Sequence, residues 1–379
     1  MKNLLDKTQF KICHLTAGHP PFDDRIFHKE TKTLAQAGYD VAIIAQHDKQ
    51  EVVDGVRIIP LPTPKSRFER MTKIGWKLFN VALREKADVY HFHDPELIPY
   101  GLILKLLGKK VIYDVHEDYP KQVLYKEWVG NIYIRKLVAF VTRVAERTGA
   151  FFFDGIIVAT PDIGKGFSPD KTIILRNMPV LELIHKAAPA DEKTDKYVVI
   201  YAGGLSKARG IKETIQSMQF VGNKAELWLL GKWMDDEFRK ECEALEEFKY
   251  VRYLGFVPLN EVYRYMKKAA VGVSVLYPIE NYITSLPVKA YEYMTCSLPM
   301  VMSDFPYWQK IFGECALFAD PYNPKDIADK ILYLLDNPDK AKQLAYGGRR
   351  LVEEECNWEA ESRKLIDLYK GLLGGNKTS

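Results

Sequence analysis

The chain has 379 residues, of which 47% are apolar and 27% charged, and its formal net charge is +4. This length allows two domains of ordinary size, and so small a positive charge gives no argument for nucleic-acid binding. Five scattered cysteines without a CxxC pair argue against a disulfide framework or a structural zinc site. The start, MKNLLDKTQFK, lacks the apolar core of a signal peptide, and no window is long and apolar enough to span a bilayer. We therefore expect a cytoplasmic globular protein.

The first half of the chain alternates between apolar strand patterns and helical patterns. Strands are predicted over residues 10–16, 41–45, 56–60, 88–91, 110–115 and 155–160. Helices are predicted over residues 25–37, 67–86 and 129–148. This alternation is typical of a parallel, doubly wound α/β sheet, which binds ligands at the carboxyl ends of its strands.

The second half restarts the same alternation after a segment without periodicity. Residues 179–196 gain Pro, Ala and charge and predict an interdomain linker. Strands are then predicted over 197–202, 226–230, 251–254, 270–276 and 299–302. Helices are predicted over 211–218, from Pro287 onward, and over 358–373. Two similar α/β halves are therefore expected.

The segment 277–306, YPIENYITSLPVKAYEYMTCSLPMVMSDFP, links two buried strands through a polar loop and a helix that begins at Pro287. A helix N-terminus presents unpaired N–H groups and a positive dipole to an anion. Glu292, about one turn into the helix, could accept hydrogen bonds from sugar hydroxyls. Phosphate at the loop and ribose at Glu292 would together describe a nucleotide, although most such helices bind nothing.

The run from Ser285 to Met294, SLPVKAYEYM, followed by SLPMV, resembles the signature of family 4 retaining glycosyltransferases. The resemblance implies the GT-B fold, in which two Rossmann-like doubly wound domains face a central cleft. It places an acceptor-side domain at 1–180, with a C-terminal helix at 358–379 crossing back, a donor domain at 195–357 and a linker at 179–196. Many members carry two Glu with seven residues between them; here Glu292 is the second, and Thr284, eight positions earlier, stands in place of the first. The chain resembles the branch with HPPxDxRIF and SLPxKxxEYM.

The same resemblance assigns residues to the nucleotide-sugar donor. Glu292 would bind the ribose, and the loop Gly203–Gly210 resembles the loop that holds the diphosphate. Relatives carry an Arg where this chain has Gly204 and a Lys where it has Arg209. The expected donor-binding set is Gly18, Gly203, Gly204, Lys207, Arg209, Thr284, Ser285, Leu286 and Glu292. Without the resemblance, residues 203–210 read equally well as a plain turn with solvated cations.

Polar residues also follow the predicted strands of the first half. In YDVHED the resemblance puts His116 beside the donor sugar, while the alternative is a His satisfied by its own loop. His93, Asp94 and Glu96 in HFHDPE are expected to contact the acceptor or to make structural hydrogen bonds, because no second group at ligand spacing supports a metal site. In the loop after the first strand the usual Gly-Gly is absent. There Gly18 would keep the close approach to phosphate, and Asp24 and Arg25 would contact the acceptor or fix the loop.

Residues 65–86 combine several basic residues with Phe68, Trp76 and Phe79. This pattern suits an interfacial helix on anionic lipid, but an ordinary amphipathic helix with a solvated basic face explains it better. The less favoured interpretation implies a peripheral contact of the protein with the inner membrane face.

The residues and the resemblance together predict a metal-independent retaining glycosyltransferase. It would move a sugar from a nucleotide-diphosphate donor, which is a substrate and not a cofactor, to a hydroxyl of a cell-surface or lipid-linked glycan. The expected catalytic residues are His116, Arg209 and Lys289, the two cations stabilising the departing diphosphate. The alternatives are a GT-B-fold sugar-nucleotide 2-epimerase and a non-catalytic nucleotide-sugar binder. A dehydrogenase is disfavoured because neither half shows GxGxxG with a later acidic residue.

Overall fold

The structure is a computed structural model that describes residues 9–125, 129–283 and 285–374. The chain forms two compact units. Unit 1 comprises the residues up to Asn177 together with those from Glu361 onward, and unit 2 comprises Met178–Ala360. Each unit is an α/β domain, so the predicted fold class is confirmed. None of the described helices is both long enough and apolar enough to cross a membrane.

Unit 1 is built on an eight-stranded sheet with the order β3-β4-β2-β1-β5-β6-β7-β8. Its strands are β1 Lys11–Leu15, β2 Asp40–Gln46, β3 Glu51–Val53, β4 Val56–Leu61, β5 Val89–Phe92, β6 Lys110–Val115, β7 Gly155–Val158 and β8 Thr172–Ile174. All pairings are parallel except the β3–β4 hairpin. The hairpin turns at Asp54 and Gly55, both at positive φ. The strand order reverses between β1 and β5, where His14 pairs with His91 in the register, and such a switch point is where doubly wound sheets bind ligands.

The helices of unit 1 cover both faces of that sheet. They are α1 Lys32–Gln36, α2 Arg67–Glu69, α3 Gly75–Glu85, α4 Ile98–Leu106, α5 Tyr119–Tyr125, α6 Ile132–Phe152, α7 Pro161–Gly164 and the C-terminal α17 Trp358–Gly374. Wide, π-type turns over Ile26–Thr31 and Arg70–Ile74 lead into α1 and α3. Such turns are frequent at functional sites because they redirect side chains.

Unit 2 is built on a six-stranded, fully parallel sheet with the order β11-β10-β9-β12-β13-β14. Its strands are β9 Tyr197–Ala202, β10 Ala225–Leu230, β11 Val251–Gly255, β12 Val271–Ser274, β13 Met300–Ser303 and β14 Ala316–Ala319. Its helices are α8 Leu181–Lys186, α9 Ile211–Val221, α10 Asp236–Glu243, α11 Leu259–Lys268, α12 Glu280–Ile283, α13 Val288–Thr295, α14 Pro306–Phe312, α15 Pro324–Asp336 and α16 Pro338–Glu354. The switch point lies between β9 and β12.

Alternation along the strands of unit 2 supplies two separate cores. Trp228 and Leu230 of β10 pack into one cluster, and Leu227 and Leu229 pack into the other, as expected when successive side chains point to opposite faces. The segment 179–196, predicted as a linker, contains α8, whose Ile184 is fully buried in the first of these clusters. The apolar residues of that segment therefore belong to the core of unit 2.

Candidate functional site

A cavity of about 300 Å³ lies in unit 2 at the carboxyl ends of β9 and β10. Its lining comprises Ala202, Gly203, Gly204, Leu230, Gly231, Lys232, Phe256, Val257, Leu259, Val262 and Glu292. Lys232 holds its ammonium 4.7 Å from the centre of the Phe256 ring. The cavity therefore combines an apolar surface, bare glycine backbone and a carboxylate, the composition typical of small-molecule sites.

Two glycines make the floor of this cavity possible. Gly231 has a φ of +138°, and a Cβ there would lie 1.9 Å from the carbonyl oxygen of Gly203. Gly203 itself has a φ of +143°. A side chain at Gly231 would force the two loops apart, so the close approach of the backbones after β9 and β10 depends on glycine.

Glu292 lies on α13 and lines the cavity, with its Oε1 accepting a hydrogen bond of 3.4 Å from the Tyr263 hydroxyl. The helix places it on the side that also carries Lys289, three residues earlier, while Tyr291, Tyr293 and Met294 are buried in the core. Apolar packing of α13 thus orients the carboxylate toward the cavity.

Two cations converge beside the loop that follows β9. An ideal Cβ on Gly203 would lie 3.1 Å from the Lys289 ammonium and 3.4 Å from the Arg209 guanidinium. The Lys289 Nζ stands 3.2 Å from the centre of the Tyr201 ring. Desolvation of this ammonium and the neighbouring Arg209 hold the pKa of Lys289 well below its ordinary value. An anion bound here would relieve that repulsion.

The other residues that were predicted to bind the sugar donor differ in exposure and in their contacts. Lys207 is exposed. The Ser285 carbonyl accepts a 2.7 Å hydrogen bond from the Trp308 indole, and Leu286 packs against the core. Thr284 lies outside the described residues.

Unit 1 carries a buried polar network at its switch point. The His14 Nδ1 lies 3.0 Å from the His93 Nε2, and the His93 Nδ1 lies 3.1 Å from the His116 Nε2. The same His116 nitrogen lies 3.1 Å from the Asp114 Oδ2. The chain of rings thus runs from the interior of β1, past the end of β5, to the end of β6.

Arg25 holds this network in place through its contacts with Asp114 and Glu30. Its guanidinium donates to both Asp114 oxygens, at 3.2 and 2.9 Å, and its Nε lies 2.9 Å from Glu30 Oε1. A third hydrogen bond, of 2.9 Å, goes to the Leu175 carbonyl. Arg25 is almost fully buried, so its surroundings match the structural alternative, in which it fixes the loop.

The two carboxylates beside Arg25 have opposite electrostatics. Burial opposes ionisation of Asp114, but Arg25 and the hydrogen bonds from the histidines outweigh it and hold the pKa of Asp114 well below its ordinary value. Burial, followed by the Asp114 charge, raises the pKa of Glu30 well above its ordinary value. The guanidinium therefore favours the ionised form of Asp114, and burial beside that charge favours the protonated form of Glu30.

The histidine cluster has the composition of a metal site but not its electrostatics. Ligand atoms of His14, Glu30, His91 and His93 lie within 4.8 Å of one another. However, His14 and His93 are hydrogen-bonded to each other, and the guanidinium of Arg25 lies 2.9 Å from the Glu30 carboxyl group. A cation among them would face Arg25 at close range, so we interpret the cluster as a hydrogen-bond network.

The network also fixes the orientation of His116. Asp114 is ionised and can only accept, so the His116 nitrogen that faces it, Nε2, carries the proton in the neutral ring. Nδ1 then presents a lone pair. In this tautomer of the neutral ring, the Nδ1 of His116 can accept a hydrogen bond from a hydroxyl.

Asp94 organises the loop after β1. Its Oδ2 accepts hydrogen bonds from the Thr16 hydroxyl at 2.9 Å, the Ala17 N–H at 2.7 Å and the Gly18 N–H at 3.2 Å. A Cβ on Gly18 would lie 2.6 Å from the Asp94 Oδ1. The Gly18 N–H, at the position expected to approach phosphate, thus already donates to a carboxylate.

Glu96 and Asp24 are also held in ion pairs. Arg70 reaches Glu96 with its Nε at 2.6 Å and its Nη2 at 2.9 Å. The Lys29 ammonium lies 2.6 Å from both Asp24 and Asn177. Arg70 belongs to the basic segment 65–86, and the wide helical turn at Arg70–Ile74 brings its guanidinium to Glu96.

Several residues of this region were not predicted as site residues, among them His14, His19 and Arg70. His19 lies 3.4 Å from Asp23, and its ring centre is 5.3 Å from that of His116. Although burial opposes it, the hydrogen bond with Asp23 raises the pKa of His19. The position of His19 at the start of HPPFDDRIF was a usable signal, whereas the roles of His14 and Arg70 depend on tertiary pairing.

Comparisons with known proteins give consistent matches in both units. Residues 185–351 match the family model described as glycosyl transferases group 1, and residues 25–162 match that described as glycosyltransferase family 4. The O-antigen chain mannosyltransferase B of Escherichia coli is 27% identical over 179 residues, 46% of this chain and 45% of the relative. Spore coat protein SA of Bacillus subtilis (strain 168) is 23% identical over 188 residues, 46% of this chain and 49% of the relative. The chain thus spans about half the length of the curated relatives it matches.

Solved structures resemble the chain over nearly its whole length. A sucrose-phosphate synthase from Thermosynechococcus elongatus superposes with a TM-score of 0.77 at 19% identity, covering 97% of this chain and all of the other. Anabaena Alr3699/HepE, crystallised with UDP and glucose, gives a TM-score of 0.71 at 12% identity, covering 96% and 100%. At these identities the likeness shows the fold alone.

Proposed function

Since the chain belongs to the family 4 glycosyltransferases, which have the GT-B fold, we propose that it transfers a sugar from a nucleotide-diphosphate donor to a hydroxyl of an acceptor glycan. One observation carries this proposal. The cavity of unit 2 has Glu292 in its lining and adjoins Gly203, on which Lys289 and Arg209 converge. Glu292 would accept hydrogen bonds from the ribose, and Lys289 and Arg209 would bind the diphosphate, around a cavity floor built from glycine.

The cavity would hold the nucleoside part of the donor. Its apolar lining, which includes Leu230, Val257 and Val262, suits a base, and Glu292 would accept hydrogen bonds from the ribose hydroxyls. The diphosphate would lie along residues 203–210, near the N-terminus of α9. Anabaena HepE, whose structures contain UDP and UDP-glucose, supports a uridine or related nucleotide.

The chemistry we propose is stabilisation of the leaving diphosphate by fixed charge. Arg209 and Lys289 would neutralise the oxygen that gains charge as the glycosidic bond breaks, in a site where little solvent must reorganise. Anomeric configuration would be retained through a front-face displacement assisted by the donor phosphate, without a metal. For His116 we propose a hydrogen bond accepted from a sugar hydroxyl by Nδ1.

On the acceptor side, we propose a glycan of the cell surface, lipid-linked during its synthesis at the inner membrane face. The Escherichia coli relative, an O-antigen chain mannosyltransferase, supports this substrate class. His93, Asp94, Glu96, Asp24 and Arg25 would then shape the acceptor region by fixing its loops, since all five are engaged in hydrogen bonds or ion pairs.

The test is a transfer assay with UDP- and GDP-sugars and short glycan or lipid-linked acceptors, with products identified by mass and by NMR of the anomeric centre. A new glycosidic bond with the configuration of the donor is the expected result. A donor sugar inverted at C2 without transfer would establish an epimerase, and donor binding without any product would establish a binding protein. Either outcome contradicts the proposal.

A further inference from the structure

Helix α6, Ile132–Phe152, exposes its bulky apolar residues. Tyr133 is 79% exposed, Leu137 62%, Phe140 65% and Phe151 76%. On a helix of a globular domain the apolar stripe normally faces the core and the polar residues face water. This helix reverses that rule, and an exposed apolar stripe of this size marks an interaction surface.

The inner face of α6 is made of small residues and one buried carboxyl group. Ala139, Gly149 and Ala150 are buried, and a Cβ on Gly149 would lie 2.9 Å from Ile98 and 3.0 Å from Phe153. Glu146 accepts a 2.9 Å hydrogen bond from the buried Tyr113 hydroxyl. These contacts prevent the helix from rotating to bury Leu137 and Phe140. The fold therefore keeps the apolar residues of the outer face exposed.

The charges on the exposed part of α6 are all positive. Lys136, Arg143 and Arg147 are exposed. Glu146, the sole acidic residue of the helix sequence, is buried on the inner face. A bulky apolar stripe flanked by basic residues alone is the pattern of a helix that lies in the interface of an anionic membrane.

Neighbouring helices extend the same surface. Tyr100 of α4 stacks near Phe79 of α3, with ring centres 5.7 Å apart, and Ile98 of α4 meets Gly149 of α6. On this side of the sheet Leu106 of α4 is 86% exposed. The segment 65–86, for which an interfacial helix was the less favoured interpretation, buries Phe79 but leaves Phe68 and Trp76 exposed, and these two rings would add to a surface centred on α6.

We propose that the outer face of α6, defined by Tyr133, Leu137, Phe140, Val144 and Phe151, docks on the surface of an anionic lipid bilayer. The apolar residues enter the boundary between headgroups and acyl chains, and Lys136, Arg143 and Arg147 meet lipid phosphates, each basic residue strengthening the attraction. A second copy of the chain fits this face less well, because self-association would bring the basic residues of both copies together without an exposed acidic residue on either helix. The inference names the surface on which the proposed lipid-linked acceptor would be met, but its evidence is separate from that for sugar transfer.

The test is co-sedimentation of the full chain, without any donor, with vesicles of phosphatidylcholine alone and of phosphatidylcholine mixed with phosphatidylglycerol. We expect binding to the mixed vesicles that weakens as salt is added. The double variant Leu137→Glu/Phe140→Glu should partition at least about tenfold less, because apolar burial is lost and negative charge is added. Tyr346→Glu is the matched control, since Tyr346 is 70% exposed on α16 of unit 2, and it should bind as the parent does.

Three results would overturn the proposal: no binding of the parent chain to anionic vesicles, equal binding of the double variant, or equal binding to neutral vesicles. Sedimentation velocity provides the remaining arm, because a dimer abolished by the double variant would replace the lipid by a second copy. Circular dichroism of each variant checks that the fold is kept. Since no donor is present, the result is independent of whether transfer is observed.

Discussion

Lys289 is a charged residue whose protonation should respond to the donor. Desolvation and the nearby Arg209 lower its pKa, and the negative charge of a bound diphosphate would raise the pKa again. The ammonium form is present below the lowered pKa and disappears as pH rises through it. At pH values above that pKa, nucleotide binding should therefore be accompanied by proton uptake.

Calorimetry in buffers of different ionisation enthalpy measures this uptake directly. We expect up to one proton per nucleoside diphosphate bound by the parent chain and almost none by Lys289→Ala, whose affinity should fall about ten- to a hundredfold. Lys240→Ala is the control, because Lys240 is an exposed lysine on α10 of the same unit and does not line the cavity. Unchanged proton uptake in Lys289→Ala would place the diphosphate elsewhere.

Asp114 and Glu30 contact the same guanidinium but should respond oppositely to neutralisation. Asp114 has a lowered pKa, so its contribution to stability is present above its unfolded pKa and is lost as pH falls. Glu30 has a raised pKa, so its contribution is present below its unfolded pKa and is lost as pH rises toward the raised value. Asp114→Asn should cost about 3–5 kcal/mol of unfolding free energy near neutral pH.

The matched variant, Glu30→Gln, imitates the protonated acid and should change the unfolding free energy by no more than about 1 kcal/mol. Urea titrations at several pH values compare the two. Equal destabilisation by both variants would mean that both carboxylates are ionised and that the charge balance around Arg25 is different.

Among the structural elements, the crossing of the loops after β9 and β10 depends most clearly on backbone. Gly231→Ala introduces a Cβ 1.9 Å from the Gly203 carbonyl oxygen at a φ of +138°. We expect a loss of about 3–5 kcal/mol of unfolding free energy, combining strain and overpacking, and a loss of nucleotide binding.

Gly222→Ala separates the two causes. Gly222 also has a positive φ, +63°, but a Cβ there has no described atom within 4 Å. This variant should lose only the strain, about 1–2 kcal/mol, and should bind nucleotide normally. Denaturant titration and calorimetry measure both quantities, and equal losses would show that conformation alone, not the close approach, requires Gly231.

Secondary structure was predictable where an apolar run was bounded by turn residues. β6 and β9 have the predicted bounds because VIYDV and VVIYA are buried between such residues. Helix α4 was not predicted, since its sequence IPYGLILKL contains Pro and Gly. Gly101 is used there for tight packing, because a Cβ would lie 2.8 Å from Phe92 and 3.1 Å from Phe153. For the same reason α6 continues through Gly149, past its predicted end at residue 148.

For the molecule as a whole, the resemblance carried by Ser285–Met294 predicted the family and the GT-B fold, and both are confirmed. It also selected Glu292, Lys289 and Arg209, which the structure brings to one cavity and the loop beside it. The histidine network could not be predicted, because the pairing of His14 with His91 is a property of the register between β1 and β5. Individual site roles remain predictions.

The most direct measurement of the central claim is a thermal-shift panel of UDP, GDP, ADP, CMP and their common sugar conjugates on the parent chain and on Glu292→Ala. Glu246→Ala, an exposed carboxylate of the same unit, is the control. We predict that one diphosphate series raises the midpoint of the parent and the control in proportion to the logarithm of ligand concentration, and that Glu292→Ala loses most of this shift. If no nucleotide stabilises the parent chain, or if Glu292→Ala responds as the parent does, the cavity of unit 2 is not the donor site.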